Sequence, residues 1–525
     1  MSESFTAKEG RKSIYYLYKK SRITTVILLI MLPLAGVLGY ISSTSAHRHI
    51  QFAVNDISPY FGYFQATDGN GTIESIYKDG LEKSIWSNNF LTSSIWAPLS
   101  LSSCSRTTPS WYAPCIALRA SRSVMGGNDL LEERMFAEEL IYPDFALPLP
   151  VFARDEHRKI WMKAVESIKE RATMRKDDDY IVYKSQHGQN FVIHDVEFRP
   201  PANFDTWAAE TCMSPLARLG ALSLAPRNRS IDISTSSTEQ QLRLSTSESH
   251  LLVNSPDAWS FQHFLDRVTH IVAQASHLSS SSVKQIVLTG RKVSGLVPQL
   301  WSRLGFDEKD NEIKHNPSSQ VLLSLEKLIY SCKTPLVHPY LSWKALEILK
   351  LPWTMSDEEF DTSQKNIVLY VSRSHGGAMN GGRRVVNEAQ LLSDIKEFLD
   401  ERGKGETLQL FEETQYRDLD KLIDQLANRV SAIIGPHGGG LMNHRFMSPQ
   451  KSLLLEFLPT SRIEFINYEE SSILNQTYST IIVEPAPNTR DDMIIDFQDV
   501  RHILDAHLGK DRPEKIQASY QWVAE

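Results

Sequence analysis

The 525-residue sequence predicts an α/β fold whose second half is a doubly wound domain built on a parallel sheet. Short runs rich in apolar and β-branched residues alternate there with helical segments, which is typical of such sheets. A glycine-rich stretch at residues 435–440 stands where one strand ends, and parallel sheets bind ligands beyond the carboxyl ends of their strands. The predicted strands of this domain are 366–372, 407–411, 430–434, 453–457 and 480–483.

Helical patterns connect and precede these strands. The segment 388–399 begins with Asn387 at the N-cap and Gln390 three residues later, as in a capping box. Further helices are predicted at 130–139, 159–175, 261–275, 416–427 and 496–507, and further strands at 191–198, 251–254 and 285–290. Between residues 320 and 352 strands and helices alternate less clearly.

The composition is that of a globular protein with 41% hydrophobic residues, a net charge of -7 and a pI near 6.2. A chain of this length has room for two α/β domains, each with its own core. No basic stripe dominates any segment beyond the N-terminus. We therefore expect no nucleic acid among the partners.

The N-terminal region predicts a membrane anchor. Residues 23–41 carry no charge and are just long enough to cross a bilayer, and the basic residues before them favour a cytosolic N-terminus. The alternative is a cleaved signal peptide, but the charged leader is long for one and no clear Ala-x-Ala site follows. We expect a single-pass type II protein of the Golgi or endoplasmic reticulum membrane, with its large domain in the lumen.

Two features are compatible with a lumenal domain. Three N-glycosylation triplets begin at Asn70, Asn228 and Asn475. Four cysteines allow one or two disulfides, with Cys104 and Cys115 the favoured pair and free buried thiols the alternative. No CxxC or Cys/His spacing indicates zinc, so no metal site is expected.

The glycine-rich stretch predicts an anion site. A buried strand at 430–434 leads into the turn, and a short helical pattern follows from Leu441. Glycines let the backbone approach a ligand closely, and the first N–H groups of a helix attract a phosphate or diphosphate. The alternative is a tight strand-to-helix connection with no ligand.

Charged residues flank this turn in sequence and are candidates for the same crevice. Arg373 leaves a strand end and is followed by a glycine-rich loop and then by Arg383 and Arg384. Guanidinium groups match phosphate oxygens in pairs of hydrogen bonds, although each arginine taken alone also fits a solvated loop charge. Glu456 lies on the next strand and is a candidate to bind ribose hydroxyls or to pair with an arginine.

A second constellation lies earlier in the chain. His263 and Asp266 stand three residues apart on the first turns of a predicted helix, so both side chains can face one cleft. They are candidates for general acid–base catalysis. The alternative is a buried histidine bonded to backbone.

Four segments together resemble glycosyltransferase family 61. GPHGGGLMN is similar to the GAHGAGLTN-type signature of that family, and VLYVSR, RRVVNEAQLL and SLLLEFLP resemble its other elements in order and spacing. WSFQHFLD resembles its HFL-x-D helix, so the resemblance covers roughly residues 255–485. The sequence departs from the family pattern at Pro436, at Gly439 and in the long loop after Arg373.

The resemblance implies a GT-B fold, in which two Rossmann-like domains face a cleft. It implies a UDP-sugar donor, a glycan or glycoprotein acceptor, transfer with inversion, and no required metal or other cofactor; xylose and N-acetylglucosamine are the favoured sugars. His263 or Asp266 would be the base, and His437 would donate to phosphate or sugar. The implied donor site comprises Arg373, Arg383, Arg384, Glu388, Gly435, His437, Gly438, Gly439, Gly440, Leu441, Asn443 and Glu456.

The expected domain plan follows from the anchor and the resemblance. It is a cytosolic tail (1–22), an anchor (23–41), a stem (42–100), an N-terminal acceptor domain (101–355), a C-terminal nucleotide-sugar domain (356–490) and a closing helix and tail (491–525). Two alternatives remain open. One is a metal-dependent transferase with an Asp-x-Asp motif, for which 418–420 and 177–179 are the candidates. The other is a non-catalytic lumenal protein of the same fold that binds glycans or a partner.

Overall fold

The computed structural model describes residues 98–101, 135–174, 179–200, 204, 222–224, 248–256, 258–279, 284–310, 312–318, 321–354, 363–374, 382–412, 416–449, 451–509 and 520–523. All of them belong to one unit of the chain, Leu81–Glu525. The predicted anchor, Cys104, Cys115 and the glycine-rich loop after Arg373 lie outside these residues. Within them, no helix has both the length and the apolar character that a membrane span requires.

The described residues form eighteen strands. In chain order they are β1 (Leu99–Leu101), β2 (Met135–Tyr142), β3 (Phe145–Pro148), β4 (Val151–Phe152), β5 (Ala172–Met174), β6 (Tyr180–Tyr183), β7 (Gln186–Phe198), β8 (Leu222–Leu224), β9 (Glu248–Leu252), β10 (Lys284–Thr289), β11 (Ile313–His315), β12 (Leu323–Cys332), β13 (Ile367–Tyr370), β14 (Thr407–Leu410), β15 (Val430–Pro436), β16 (Leu453–Pro459), β17 (Thr477–Val483) and β18 (Gln521–Trp522).

Nine α-helices accompany the described strands. They are α1 (Asp155–Val165), α2 (Phe261–His263), α3 (Thr269–Ala275), α4 (Val297–Arg303), α5 (Pro339–Ile348), α6 (Glu388–Arg402), α7 (Leu419–Asn428), α8 (Ile466–Ile473) and α9 (Phe497–His507). A π-helical segment, Phe264–Val268, joins α2 to α3, and a 3-10 segment, Gly439–Phe446, follows the glycine turn. The mixed α/β class predicted from the sequence is confirmed.

The second half of the chain forms a six-stranded parallel sheet in the order β14-β13-β15-β16-β17-β4. Its first five strands follow the 2-1-3-4-5 order of a doubly wound fold. All strands stay parallel, but successive strands are added on one side of β13 and then, from β15 onward, on its other side. Alternate residues of the central strands pack into opposite cores: Ile433 faces one and Ile434 the other. Because both faces are covered, these strands read as continuous apolar runs in the sequence.

The first half of the chain forms a mixed sheet. Its order is β1-β2-β7-β12-β9-β10-β11, in which β9 to β12 pair in parallel while β1, β2 and β7 run antiparallel to their neighbours. A separate four-stranded antiparallel sheet joins β18, β3, β6 and β5. This half is therefore a parallel βαβ unit with an antiparallel extension.

Two helix predictions were wrong in the first half. Residues 135–142, which overlap the helix expected at 130–139, form strand β2. Glu138 of this strand is buried and accepts hydrogen bonds from Asn190 (2.8 Å) and His277 (2.8 Å). The helix expected at 159–175 ends at Val165, a 3-10 turn follows, and the chain enters strand β5.

The capping box predicted at the start of α6 is absent. Asn387 precedes the helix, but its side chain makes no capping bond. Its amide group instead pairs with the backbone of Ile495, donating to the carbonyl (2.8 Å) and accepting from the N–H (3.0 Å). Gln390 bonds Asp394 one turn later. A tertiary contact has therefore replaced the local cap.

The lowered pKa values of four buried histidines predict how the stability of the protein depends on pH. Burial lowers the pKa of His250 to about 4 and those of His270, His338 and His444 to about 3, all from 6.5. Their stabilising contribution is therefore complete above pH 6.5 and is lost as the pH falls. We expect the free energy of unfolding to fall by up to about 1.4 kcal/mol per pH unit for each histidine below that pH.

Urea denaturation at pH 7, 6 and 5 checks this expectation. A matched variant is His250→Leu, because neither ring nitrogen of His250 has a hydrogen-bond partner in the part of the chain that the structure describes. In the variant, the free energy of unfolding should change less with pH, by about the contribution of one histidine. If the free energy of unfolding changed equally with pH in the variant and in the wild-type protein, His250 would not contribute to the pH dependence.

Candidate active site

Three neighbouring strands of the parallel sheet end at the same edge. Arg373 follows β13, the glycine turn follows β15, and Arg462 follows β16. These strands are adjacent in the order β13-β15-β16. The order in which successive strands are added to the sheet reverses between β13 and β15. Such a switch point leaves a crevice for ligands. The geometry therefore places a glycine turn and arginines at the ligand-binding edge of the sheet.

The glycine turn packs against the end of β13. A Cβ atom added to Gly435 would lie 2.4 Å from the carbonyl oxygen of Val371, and one added to Gly440 would lie 2.7 Å from that residue's Cγ1. Any larger residue would push the two strand ends apart. The turn is glycine-rich partly for this packing reason.

Two side chains lie directly over the turn. A Cβ atom on Gly438 would lie 2.3 Å from Nη1 of Arg373, and one on Gly439 would lie 2.9 Å from Oε1 of Gln262. Arg373 comes from the parallel-sheet domain, whereas Gln262 belongs to α2 in the first half of the chain. The turn therefore lies where the two halves of the chain meet.

Three backbone amides of the turn are left for a ligand. The amide of His437 donates to the carbonyl of Phe457 (3.1 Å), and that of Leu441 donates to the carbonyl of Gly438 (3.0 Å). The amides of Gly438, Gly439 and Gly440 donate to no acceptor within the described part of the chain. They open the 3-10 segment, and unpaired N–H groups at such a start attract anions.

Three arginines cluster beside these amides. Arg383 is only 4% exposed, and burial followed by the charges of Arg373 and Arg462 lowers its pKa to about 10. Burial and the charge of Arg462 also lower the pKa of Arg373. Among the described residues, Nε of Arg383 has no hydrogen-bond partner and the side chain has no salt bridge. Three like charges held together in this way fit a multiply charged anion.

The backbone holds Arg383 in this position. Gly382 and Arg383 have φ angles of 91° and 61°, and the second value is unusual for a residue with a side chain. The next residues are tied down, since the N–H of Val386 donates to the carbonyl of Met493 and the N–H of Met493 donates to that of Arg384. Such constrained conformations concentrate at functional sites.

Glu456 fixes the orientation of the His437 ring in the glycine turn. Its carboxylate is fully buried and accepts from Nδ1 of His437 (2.6 Å), Nδ2 of Asn467 (2.6 Å) and the hydroxyl of Tyr478 (2.5 Å). Among the described residues it pairs with no arginine, and it is fully buried. Since Nδ1 of His437 is occupied, Nε2 is the ring nitrogen that remains for a ligand.

His263 and Asp266 lie next to the turn, on the helix that carries Gln262. Nδ1 of His263 is 3.4 Å from Oδ2 of Asp266, as their spacing predicted. The histidine side chain is 25% exposed and the aspartate side chain 7%, and Oδ1 of Asp266 is 3.5 Å from Nε of Arg267. His263 is therefore the accessible member of the pair, and Asp266 orients it.

Residues 261–454 match the family model for glycosyltransferase 61. Over this region, the chain is similar to the glycosyltransferase 61 family. The family resemblance predicted from the sequence is confirmed for residues 261–454, and this family implies a glycosyltransferase. No curated protein matches the chain.

The glycosyltransferase 61 region begins at α2 and ends within β16. It thus contains the pair His263 and Asp266, the glycine turn, and both Arg373 and Arg383. Arg462 lies beyond its end, although its charge acts on both of those arginines. Nε of Arg462 donates to Glu464 (2.8 Å) at the surface. Sequence analysis missed Arg462, although its position after the third strand end was a usable signal.

Three other predicted residues take supporting positions around the glycine turn. Glu388 accepts from the hydroxyls of Tyr370 (3.0 Å) and Ser372 (2.9 Å), which ties α6 to the segment that carries Arg373. Leu441 is fully buried in the core. Asn443 closes the turn by donating to the carbonyl of Gly440 (2.7 Å).

Arg384 faces away from the arginine cluster. Nη2 is 3.1 Å from Oδ2 of Asp492, and its backbone N–H donates to Oδ1 of the same residue (2.9 Å). Its side chain is 58% exposed. The structure therefore separates the two adjacent arginines of the predicted set into one buried and one solvent-facing residue.

The Asp-x-Asp candidates are engaged elsewhere. Asp418 caps α7 by accepting from the amides of Asp420 and Lys421, and Asp420 pairs with Arg303 (2.6 Å). Asp179 pairs with Arg158, and residues 177–178 lie outside the described residues. Within the described ranges, no group of three or more histidine, cysteine, aspartate or glutamate side chains could hold a metal ion.

Proposed function

We propose that the protein is an inverting glycosyltransferase that moves a sugar from a UDP-sugar to a hydroxyl of a glycan or glycoprotein. Xylose and N-acetylglucosamine are the favoured sugars. The observation that carries the proposal is that Arg373 lies against Gly438 of the glycine turn, where three amides have no acceptor among the described residues. Arg383 and Arg462 are close enough to Arg373 for their charges to act on one another. That combination suits the diphosphate of a nucleotide sugar better than any neutral ligand.

The diphosphate gains charge as the sugar leaves, and the arginine cluster is suited to stabilise it. Guanidinium groups and backbone amides held in fixed positions stabilise developing charge without reorganisation. Arg383 has no salt bridge among the described residues, so it can bind an anion without first breaking an internal ion pair. Arg462 differs, since it must leave Glu464.

His263 is the proposed base, oriented by Asp266. The acceptor hydroxyl gives its proton to Nε2 of His263, and its oxygen forms a bond to the anomeric carbon from the face opposite the diphosphate. The bond from that carbon to the phosphate oxygen breaks, and UDP leaves with the electron pair. A positioned base contributes roughly 10²–10⁴ in rate. No step of this scheme requires a metal.

The wider architecture proposed is a GT-B enzyme. The parallel-sheet domain (356–490) would bind the nucleotide sugar, and the first half (101–355) would bind the acceptor across the cleft beside α2. The proposed location is the Golgi or endoplasmic reticulum, with a type II anchor at residues 23–41. The disulfide at Cys332 supports an oxidising compartment.

A donor screen with the purified full-length chain tests the proposal. UDP release should be seen with UDP-xylose or UDP-N-acetylglucosamine in the presence of a glycan acceptor, and EDTA should leave it unchanged. Loss of activity in EDTA with recovery on adding Mn²⁺ would favour the Asp-x-Asp alternative. No release with any donor, together with no thermal stabilisation by millimolar UDP, would favour a non-catalytic protein.

A further inference from the structure

Arg445 connects the glycine turn to the helix that carries His263 and Asp266. It lies on the 3-10 segment Gly439–Phe446, which begins in the turn itself. Its side chain is fully buried, and Nη1 donates to the backbone carbonyl of Leu265. Leu265 lies between the two candidate catalytic residues. One side chain of the donor-binding domain therefore bonds the backbone of the candidate catalytic helix.

This bond accounts for the π-helical segment Phe264–Val268. The carbonyl of Leu265 also accepts from the hydroxyl of Thr269 (2.6 Å), so two side chains occupy the oxygen that an α-helix would use for the N–H of Thr269. That N–H bonds the carbonyl of Phe264 instead, five residues back. Insertions of this kind form where side chains enter the backbone ladder, and they are frequent at functional sites.

The π segment sets the direction in which His263 points. An α-helix turns by about 100° per residue, so the extra residue rotates α2 by roughly that angle relative to α3. All seven residues of α3 are buried, which fixes its orientation. If the segment became α-helical, α2 would rotate relative to α3. His263 would then point away from the glycine turn, against which Gln262 now packs at Gly439.

A buried network holds Arg445 in place. Nε lies 3.4 Å from Oε2 of Glu470, and Nη2 lies 3.4 Å from Nε2 of His270. The other oxygen of Glu470 accepts from the hydroxyl of Ser342 (3.2 Å). Arg445, Glu470, His270 and Ser342 are all fully buried. The guanidinium therefore has a fixed position, with its charge balanced by Glu470.

We infer that Arg445 is a positioning residue, which holds the π segment through the Leu265 carbonyl and so aligns His263 and Asp266 with the glycine turn. The inference rests on the proposed function for its catalytic consequence. The coupling between Arg445 and the helix geometry stands independently of the reaction.

The double variant Arg445→Met/Glu470→Gln tests the inference in the full-length protein. It removes both buried charges together, so neither is left unpaired, and it keeps similar side-chain volumes. The kcat should fall on the order of 100-fold, because small misplacements of a catalytic group cost that much. The KM for the donor should stay close to the wild-type value, since the turn and its arginines are untouched.

Two further variants separate positioning from a general structural role. Arg171→Met removes a comparable contact, since Nη1 of Arg171 is 2.7 Å from Glu469, the neighbour of Glu470 on α8. That variant should lose stability but keep its kcat. Arg445→Lys retains the charge and one donor, so it should recover part of the kcat. A folded double variant with the wild-type kcat would overturn the inference.

A crystal structure of the double variant gives a readout that needs no activity. The account expects residues 264–268 to become α-helical, with the N–H of Thr269 bonded to the carbonyl of Leu265. A π segment that persists would overturn the inference, whatever the kcat. If the wild-type protein transfers no sugar from any donor, the proposed function fails, and this crystallographic comparison still decides the role of Arg445.

Discussion

Replacing Arg383 with methionine is expected to abolish donor binding while leaving the fold intact. Arg383 is buried and has no salt bridge among the described residues, and burial together with the charges of Arg373 and Arg462 lowers its pKa to about 10. Removing a positive charge from that cluster relieves repulsion, so the Tm should stay the same or rise. Losing its bonds to the diphosphate should reduce kcat/KM by roughly 10²–10³, the cost of removing one preorganised donor.

Arg384→Met is the matched control for this variant. The two arginines are adjacent, but Arg384 is exposed and pairs with Asp492. We expect near-normal kcat/KM and a UDP affinity close to that of the wild-type protein. Isothermal titration with UDP and steady-state kinetics measure both quantities. Normal UDP binding by Arg383→Met, or equal losses in the two variants, would remove Arg383 from the site.

Replacing Glu456 with glutamine should have the second largest effect. The carboxylate accepts three hydrogen bonds, from His437, Asn467 and Tyr478. An amide nitrogen cannot accept, so one of the three bonds must reverse or be lost, and the negative charge beside His437 disappears. The His437 ring would be held less firmly, and we expect kcat to fall on the order of 100-fold, less than the roughly 10⁴-fold cost of losing the carboxylate that orients a triad histidine.

Glu469→Gln controls for the stability cost of the Glu456 change. Glu469 is also buried and accepts from a tyrosine hydroxyl, that of Tyr183 (2.8 Å), but its charged partner is Arg171 (2.7 Å) and not a residue of the turn. Each substitution should cost about 1–3 kcal/mol of stability through unsatisfied donors, measured by urea denaturation. Only Glu456→Gln should lower kcat. If both variants keep the wild-type kcat, His437 has no part in transfer.

The parallel-sheet domain was largely predictable because its strands are buried on both faces. Continuous apolar runs such as 430–434 and 453–457 carry that information locally, and all five predicted strands are present. The first half was less predictable, since β2 contains buried glutamates whose partners come from distant residues. Sequence periodicity cannot distinguish a carboxylate that faces water from one satisfied by Asn190 and His277.

In the candidate site, too, some features were predictable from local sequence and others depend on distant contacts. The glycine turn, Arg373 and Arg383 were found because residues at strand ends share one edge of a sheet. The direction of Arg384, the burial of Glu456 and the π segment depend on contacts with Asp492, His437 and Arg445. Such contacts form between segments far apart in the chain, so no local pattern carries them.

A crystal structure of the full-length protein with UDP tests the central claim most directly. The account predicts the diphosphate within about 3 Å of the amides of Gly438, Gly439 and Gly440, the usual hydrogen-bonding distance. The guanidinium groups of Arg373 and Arg383 should contact its oxygens, and Arg462 should have released Glu464. A diphosphate bound elsewhere, or a glycine turn that stays empty at saturating UDP, would contradict the account.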